Sequence, residues 1–420
     1  MREMKDSMER WIGEIPFSWI VLRGKAILTL LERPVRDDDG IITCFRDGEV
    51  TLRSKRREDG FTMSDKEIGY QGIEPGDLVV HGMDGFAGSI GISDSRGKAT
   101  PVLNVMDSTQ NKKYLMYFLR TMAYNGVFLS LSTGIRVRSC DTNWNKLKTI
   151  MCLVPPLSEQ QRIADFLDRK CADIDNVLVK TKASIEEYKK LKQSVITKAV
   201  TKGIRGERPM KDSGIEWIGE IPEEWTVIKF GYCAHIKSNL VDPSLYPDYP
   251  QIAPDVIGKG NAKIEGEITS VKESGIISWN HLFSKGQIIY SKIRPLLNKL
   301  IIAPFDGLCS ADMYPIESDL DISFTKYMML SSYFLEQVKQ VTEDRVKMPK
   351  VNQEELSAFK VVIPPCKSEQ VAIASYLDQK CSEIDSLIAS KEKFITELEL
   401  YKKSLIYEYV TGKKEVPSNA

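Results

Sequence analysis

The sequence predicts an α+β protein, two similar mixed α/β domains separated by two long antiparallel coiled-coil helices. Three observations lead there. The first half of the chain returns in the second half at a nearly constant offset, strand-and-turn patterning fills the front of each half, and helical three-four spacing fills the back.

The repeat comes first. Met4-Lys5-Asp6-Ser7, Trp11-Ile12-Gly13-Glu14-Ile15-Pro16 and Trp19 return 206 residues later as Met210-Lys211-Asp212-Ser213, Trp217-Ile218-Gly219-Glu220-Ile221-Pro222 and Trp225. Farther on, Ser158-Glu159-Gln160, Ile163-Ala164, Leu167-Asp168, Lys170-Cys171 and Ile174-Asp175 return 210 residues later as Ser368-Glu369-Gln370, Ile373-Ala374, Leu377-Asp378, Lys380-Cys381 and Ile384-Asp385. Solenoid units recur about every 20 to 50 residues, so a half-chain period means two copies of one domain, each closed by the same terminal segment. The resulting division is a first domain over 1–156, a long helix over 157–205, a second domain over 206–365, a second long helix over 366–412 and a loose tail over 413–420.

Within residues 20–155, short apolar runs such as Leu78-Val79-Val80 and Ile90-Gly91-Ile92 are punctuated by Gly72, Gly76, Gly82, Gly85, Gly88 and Gly97, which are strand and turn signals. After Pro155-Pro156 the punctuation stops until Gly203. Ile163, Leu167, Cys171, Ile174, Leu178, Ile185, Tyr188, Val195 and Ala199 then fall on one helical stripe, interrupted only by Thr181 and Lys192. Ser158 offers a capping hydroxyl beside the proline pair, and Glu159 suits the dipole of the first turn. The second copy repeats the stripe from Ile373 to Tyr409, with Lys391 and Lys402 as its polar interruptions. Roughly 45 residues at about 1.5 Å each make a rod of about 65 Å, longer than one domain core needs. Two rods with narrow apolar seams suit each other; the plainer alternative is an ordinary long helix lying along one domain.

Composition bounds the remainder. The chain has 420 residues, 42% hydrophobic and 28% charged, values typical of a globular protein with two or three domains. No apolar run approaches a membrane span, and Met1-Arg2-Glu3-Met4-Lys5-Asp6 lacks the apolar core of a secretion signal, so a cytoplasmic protein is expected. The eight cysteines form no CxxC pair and read as reduced core thiols.

Candidates for chemistry are few. His81, His235 and His281 do not correspond between the copies and assemble into neither a metal set nor a catalytic triad. Gly91 to Lys98 has five residues between its glycines where a phosphate loop has four, and Ala99 follows where Ser or Thr is needed. Gly82, Gly85, Gly88 and Gly91 have no counterparts in Lys292 to Ile301 of the second copy, so turn geometry explains them better than phosphate binding. Trp11, Trp19, Trp217 and Trp225 recur pairwise and suit a core or docking role; Trp144 and Trp279 do not match and stay open.

The doubled Trp-Ile-Gly-Glu-Ile-Pro segment, the two Pro-Pro pairs at 155 and 364 each followed by Ser-Glu-Gln, and the Ile-Ala-x-(Phe/Tyr)-Leu-Asp helix starts at 163 and 373 together resemble the specificity subunits of Type I restriction-modification systems. The resemblance covers nearly the whole chain. It implies two target-recognition domains, each reading one half of a split sequence in double-stranded DNA, with the helices setting the gap and serving as a platform. It also implies partners: DNA methyltransferase (modification) subunits and restriction/translocase subunits. In the resulting defence against foreign DNA, S-adenosylmethionine, ATP and Mg²⁺ are used by those partners and none is bound by this chain. That agrees with the absence of an Asn-Pro-Pro-Tyr-like motif, a cofactor loop and a phosphate loop from the sequence. This subunit is therefore expected to be noncatalytic, as part of an adenine-specific DNA methylation and restriction complex. Half-sites about one helical turn apart, roughly 34 Å, suit two domains on a stiff support.

Charge sets a difficulty for DNA binding, because 58 basic and 58 acidic residues balance. Residues 20–150 carry 19 Lys and Arg against 16 Asp and Glu, and residues 226–362 carry 15 against 16, so affinity must come from local clusters. In the first domain these are Arg53, Lys55, Arg56 and Arg57, then Arg136 and Arg138; in the second, Lys292 and Arg294, then Arg345, Lys347 and Lys350. Arg136-Val-Arg138 and Arg345-Val-Lys347 occupy corresponding places, and alternation by two would put both charges on one face of an extended segment. The loops at Arg136 and Arg345 are expected to approach DNA, with Asn143, Asn298 and Asn352 as weaker base-reading candidates. Each basic residue taken singly is more often a solvated surface group. The alternative function is a duplicated protein-protein scaffold without direct DNA readout, which zero net charge would suit; a nuclease in its own right is a distant third.

Overall fold

The computed structural model describes residues 2–56, 68–131, 142–345 and 349–417. They form two compact units, residues 1–181 with 393–420 and residues 182–392. The divisions fall inside the two long helices, Leu157–Lys202 and Lys367–Val410, so each unit holds part of both.

The helices run unbroken for 46 and 44 residues. Neither contains glycine or proline, and each stops at a glycine with left-handed backbone, Gly203 at φ +77° and Gly412 at φ +72°. Ser158, expected as the cap, lies within the first turn because the helix begins one residue earlier, at Leu157.

In the first unit a four-stranded antiparallel sheet has the order Leu28–Leu30, Leu103–Ser108, Leu78–His81, Ile90–Ile92. Helix Lys112–Tyr124 buries Tyr114, Leu115, Phe118, Leu119 and Met122 in the core that contains this sheet. Its cap is Asn111, whose side chain accepts from Tyr114 N at 3.0 Å. Strand Ile20–Arg23 pairs with Met151–Val154 just before the first long helix.

The second unit repeats this strand for strand: Ala234–Ile236, Met313–Ser318, Ile288–Ser291 and Leu300–Ile302 form the antiparallel sheet, and Thr226–Lys229 pairs with Lys360–Ile363. Helices Ile322–Leu330 and Ser332–Thr342 contribute Phe324, Met328, Tyr333, Phe334 and Val338 to its core. The copies diverge outside this frame. A second sheet of five strands in residues 240–310 includes one parallel pairing, Pro250–Ile252 with Gly307–Ser310. The first unit has two small two-stranded sheets, Ile42–Cys44 with Val50–Leu52 and Gln71–Ile73 with Gly97–Ala99.

The helical stripes are seams within each unit. In the first, Ile163, Leu167, Cys171, Ile174 and Leu178 share a core with Leu405 and Tyr409, and the Phe166 and Tyr409 rings are 4.5 Å apart. In the second, Ile196, Ala199 and Val200 share a core with Ile373, Leu377 and Cys381. Rising numbers on one helix meet falling numbers on the other in both units, so the pairing is antiparallel: Phe166 meets Tyr409 and Asp175 meets Lys402, then Tyr188 meets Lys391 and Lys192 meets Asp385. The polar interruptions have partners. Lys192 Nζ donates to Asp385 and Lys402 Nζ to Asp175, both at 2.6 Å, and Thr181 Oγ1 donates to the Val177 carbonyl at 2.8 Å. The lysine pairs sit at the same place in each copy and orient the seam more than they stabilise it.

Other repeated residues lock each domain to its helix. The Glu159 carboxylate accepts from Trp19 Nε1 at 3.0 Å and from Arg2, whose guanidinium lies 5.5 Å from the Trp19 ring centroid. Its counterpart Glu369 accepts from Arg208 at 2.8 Å, with the guanidinium 5.0 Å from the Trp225 ring centroid. Gln160 and Gln370 each accept a backbone N–H, from Asn111 and Asp321, at 2.9 Å. Asp168 and Asp378 accept from the hydroxyls of Tyr117 and Tyr327 at 2.8 and 2.6 Å. Burial, reinforced by those carboxylates, pushes both phenols well above their ordinary range. The seven described cysteines are free thiols, all buried except Cys366, and burial pushes Cys44 and Cys152 up to about 12. Cys140 lies outside the described residues.

Candidate nucleic-acid interface

Each unit presents a loop at the same point of its sheet, Gly82–Ser89 after strand Leu78–His81 and Lys292–Lys299 after strand Ile288–Ser291. The first is shaped by glycine. Gly88 has φ +99°, and a Cβ on Gly91 just beyond the loop would stand 2.0 Å from the Gly48 carbonyl. These glycines serve turn geometry and close packing, as expected. In the second loop Arg294 and Asn298 hold left-handed backbone, both at φ +45°, around the short turn Pro295–Leu297.

The described basic candidates of the first unit, Arg53, Lys55 and Arg56, have partners within it. Turn Arg53–Lys55 follows strand Val50–Leu52, and Arg53 Nε donates to Thr43 Oγ1 at 3.3 Å. Lys55 Nζ donates to Ser95 Oγ at 2.6 Å and lies 3.4 Å from Asp94. Arg56 bridges Asp47 at 2.6 Å and Glu49 at 2.8 Å with its guanidinium 4.1 Å from the Phe45 ring centroid. Arg57, Arg136, Arg138 and Lys347 lie outside the described residues. No sequence signal singles out Arg46, which reaches Asp84 in the first loop at 2.9 Å.

In the second unit the structure brings together basic residues from two stretches. Val351 N donates to the Lys292 carbonyl at 3.0 Å, Arg294 N to the Pro349 carbonyl at 2.9 Å, and Ile293 bridges Lys350. Arg345 donates to the Lys350 carbonyl and pairs with Glu355, and Lys350 Nζ is 3.4 Å from Asp312. Lys292 Nζ stands 5.2 Å from the Tyr314 ring centroid. Arg294 is exposed, and its guanidinium has no partner among the described residues.

The three asparagines do other work. Asn298 is 3% exposed and its Nδ2 donates to the Met329 carbonyl at 3.0 Å, so it cannot present its amide to a base. It stands where the first unit has Gly88, and asparagine tolerates the left-handed backbone needed there. The Asn143 side chain caps helix Trp144–Leu147 by accepting from Lys146 N at 3.2 Å. The Asn352 side chain caps helix Gln353–Ala358 by accepting from Glu355 N at 2.8 Å, and Asn352 N donates to the Glu355 carboxylate at 2.9 Å. Because Glu355 also holds Arg345, the cap and the basic cluster share one carboxylate. Asn352→Ala is expected to cost about 1 kcal/mol of stability, read by denaturant unfolding. A loss near zero would mean the capping box contributes nothing.

Among the described residues, no group of three or more His, Cys, Asp or Glu side chains is placed to hold a metal ion, and no helix is long and apolar enough to cross a membrane.

Comparison with known proteins bears on this arrangement directly. A chain from work on the structural basis of complex assembly and conformational transition of the type I R-M system superposes with TM-score 0.71 at 14% identity, covering 95% of this chain and 99% of that one, a likeness of fold. The EcoDI specificity subunit of Escherichia coli is 36% identical over 257 residues, 57% of this chain and 56% of that relative, so the match spans about half of its length. A putative MjaX specificity subunit of Methanocaldococcus jannaschii is 28% identical over 72% of this chain and 68% of its own length. Residues 222–400 match the family model described as the Type I restriction modification DNA specificity domain. Residues 222–400 thus resemble the Type I restriction modification DNA specificity domain, and the chain is similar to type I specificity subunits over 57% to 72% of its length.

Proposed function

We propose that the chain reads a bipartite target in double-stranded DNA, one half-site per unit, and positions the methylation and restriction subunits of a type I complex in the cytoplasm. The observation that carries this reading is that one scaffold is built twice while the loops at its matching position differ in chemistry. Gly82-Met83-Asp84-Gly85 stands in the first unit where Lys292-Ile293-Arg294-Pro295 stands in the second. A repeated support carrying dissimilar loops suits two different half-sites better than two copies of one protein-binding surface. Exposed apolar side chains on the long helices, Val179 and Leu400 in one unit and Leu191 and Leu387 in the other, offer partner subunits a platform. Those partners would supply the chemistry with S-adenosylmethionine, ATP and Mg²⁺, and this chain alone would neither methylate nor cut.

The test is the DNA affinity of the complex reconstituted with methyltransferase subunits, measured over a salt series. Preferential binding of one bipartite sequence is expected, with log K falling by about 0.9 per phosphate neutralised for each tenfold rise in salt. Salt-independent binding without sequence preference would instead support a protein-protein scaffold. Divalent-metal-dependent cutting by the purified chain would overturn the noncatalytic role.

A further inference from the structure

We infer that Arg294 is a phosphate anchor of the second unit, a contact that seats this domain on the DNA backbone without reading a base. The inference rests on the DNA-binding role proposed above and assigns one residue within it. Three observations converge on it.

The first is the backbone. Arg294 holds φ +45° and ψ 50° immediately before Pro295, and a residue preceding proline is already restricted. Left-handed backbone at a non-glycine residue is costly and persists only where its surroundings impose it. Here they do: Arg294 N donates to the Pro349 carbonyl, and the Arg294 carbonyl accepts from Leu297 N, both at 2.9 Å. The loop therefore holds the Cα of this arginine in one place.

The second is charge. Lys292, Arg345 and Lys350 are gathered around the same backbone bonds, but Arg345 and Lys350 each have a carboxylate of their own. Of these four cations, Arg294 alone is exposed with no side-chain partner among the described residues. In the first unit the residue 210 positions earlier is Asp84, which pairs with Arg46 at 2.9 Å, so at this position of the repeat only the second unit carries a cation.

The third separates phosphate from base. An arginine that reads guanine needs its guanidinium plane held by neighbouring groups, because the paired hydrogen bonds require one orientation. No described side chain holds Arg294 in this way, and an exposed guanidinium with no fixed orientation suits a phosphate, which accepts charge from many directions.

The test uses the methyltransferase complex with wild-type chain, Arg294→Ala or Arg294→Lys. The probes are a labelled duplex carrying the target found by methylome sequencing and a scrambled duplex of equal length. Alanine and arginine meet the same left-handed backbone, so R294A should unfold at the wild-type temperature. R294A is expected to weaken binding to both duplexes by a similar factor, to make the slope of log K against log salt shallower by about one, and to leave the methylated sequence unchanged. R294K should restore the slope, since lysine serves a phosphate as a point charge. A methylated sequence relaxed at one base in R294A and not restored in R294K would make Arg294 a base reader and overturn the inference; so would an unchanged slope in R294A. If the wild-type complex itself shows neither sequence preference nor salt dependence, the proposed function fails and the inference falls with it, an outcome visible before any variant is compared.

Discussion

Glu369→Ala is expected to destabilise the second unit by about 3–5 kcal/mol, the usual cost of removing one partner from a buried ion pair. The Glu369 side chain is 4% exposed and that of Arg208 10%, with 2.8 Å between them. Arg208 has two other acceptors, Glu224 at 3.0 Å and the Lys202 carbonyl at 2.9 Å, but Glu224 is nearly half exposed and cannot replace a buried carboxylate. The loss also loosens the stacking of Arg208 over Trp225, which is fully buried and whose Nε1 has no partner among the described residues. Denaturant unfolding of the full chain measures the effect. The double variant Arg208→Met, Glu369→Met should be less destabilised than Glu369→Ala, because neither charge is then left alone. A loss below about 1 kcal/mol for Glu369→Ala would show that water reaches the pair as it reaches a surface salt bridge.

This lock marks how far the sequence could be read. The helices were legible because their apolar spacing persists for more than ten turns without glycine or proline, and a signal that long survives a few polar interruptions. The interruptions at Lys192 and Lys402 were visible, but their aspartates lie on the other helix, and no local pattern connects residues about two hundred positions apart. The doubled Glu159 and Glu369 were visible as a repeat; their partners Arg2 and Arg208 share the offset of the neighbouring motif and were the unused clue. The strands are mostly three or four residues long, too short for alternation to declare them. Among the candidate base readers, Asn352 followed three residues later by Glu355 is a capping-box spacing that propensity alone could have assigned. Asn298 was harder, since its burial depends on the Met329 carbonyl in a helix beyond the sheet. The partners of a basic cluster are hidden for a related reason: the run Arg53 to Arg56 looks free in sequence, while the carboxylates of Lys55 and Arg56, Asp94, Asp47 and Glu49, come from other strands and turns.

One helical turn inserted in each long helix, at Lys182 and at Lys393, is expected to abolish methylation at the wild-type spacing and to move it to a target whose half-sites lie about one to two base pairs farther apart. Both positions begin the stretch where one unit gives way to the other, so each added turn enters the helix between residues that belong to different units. Four residues add about 6 Å at about 1.5 Å each, against about 3.4 Å per base pair. Matching the two insertions keeps both helices the same amount longer, and neither stretch contains a glycine or proline where the added length would be lost in a bend. The bases read within each half-site should not change, since no loop residue is altered. Methylome sequencing of cells carrying the variant reads both quantities at once. Full methylation at the original spacing would mean that the helices do not set the gap, and altered half-site bases would mean that the insertion had disturbed the domains themselves.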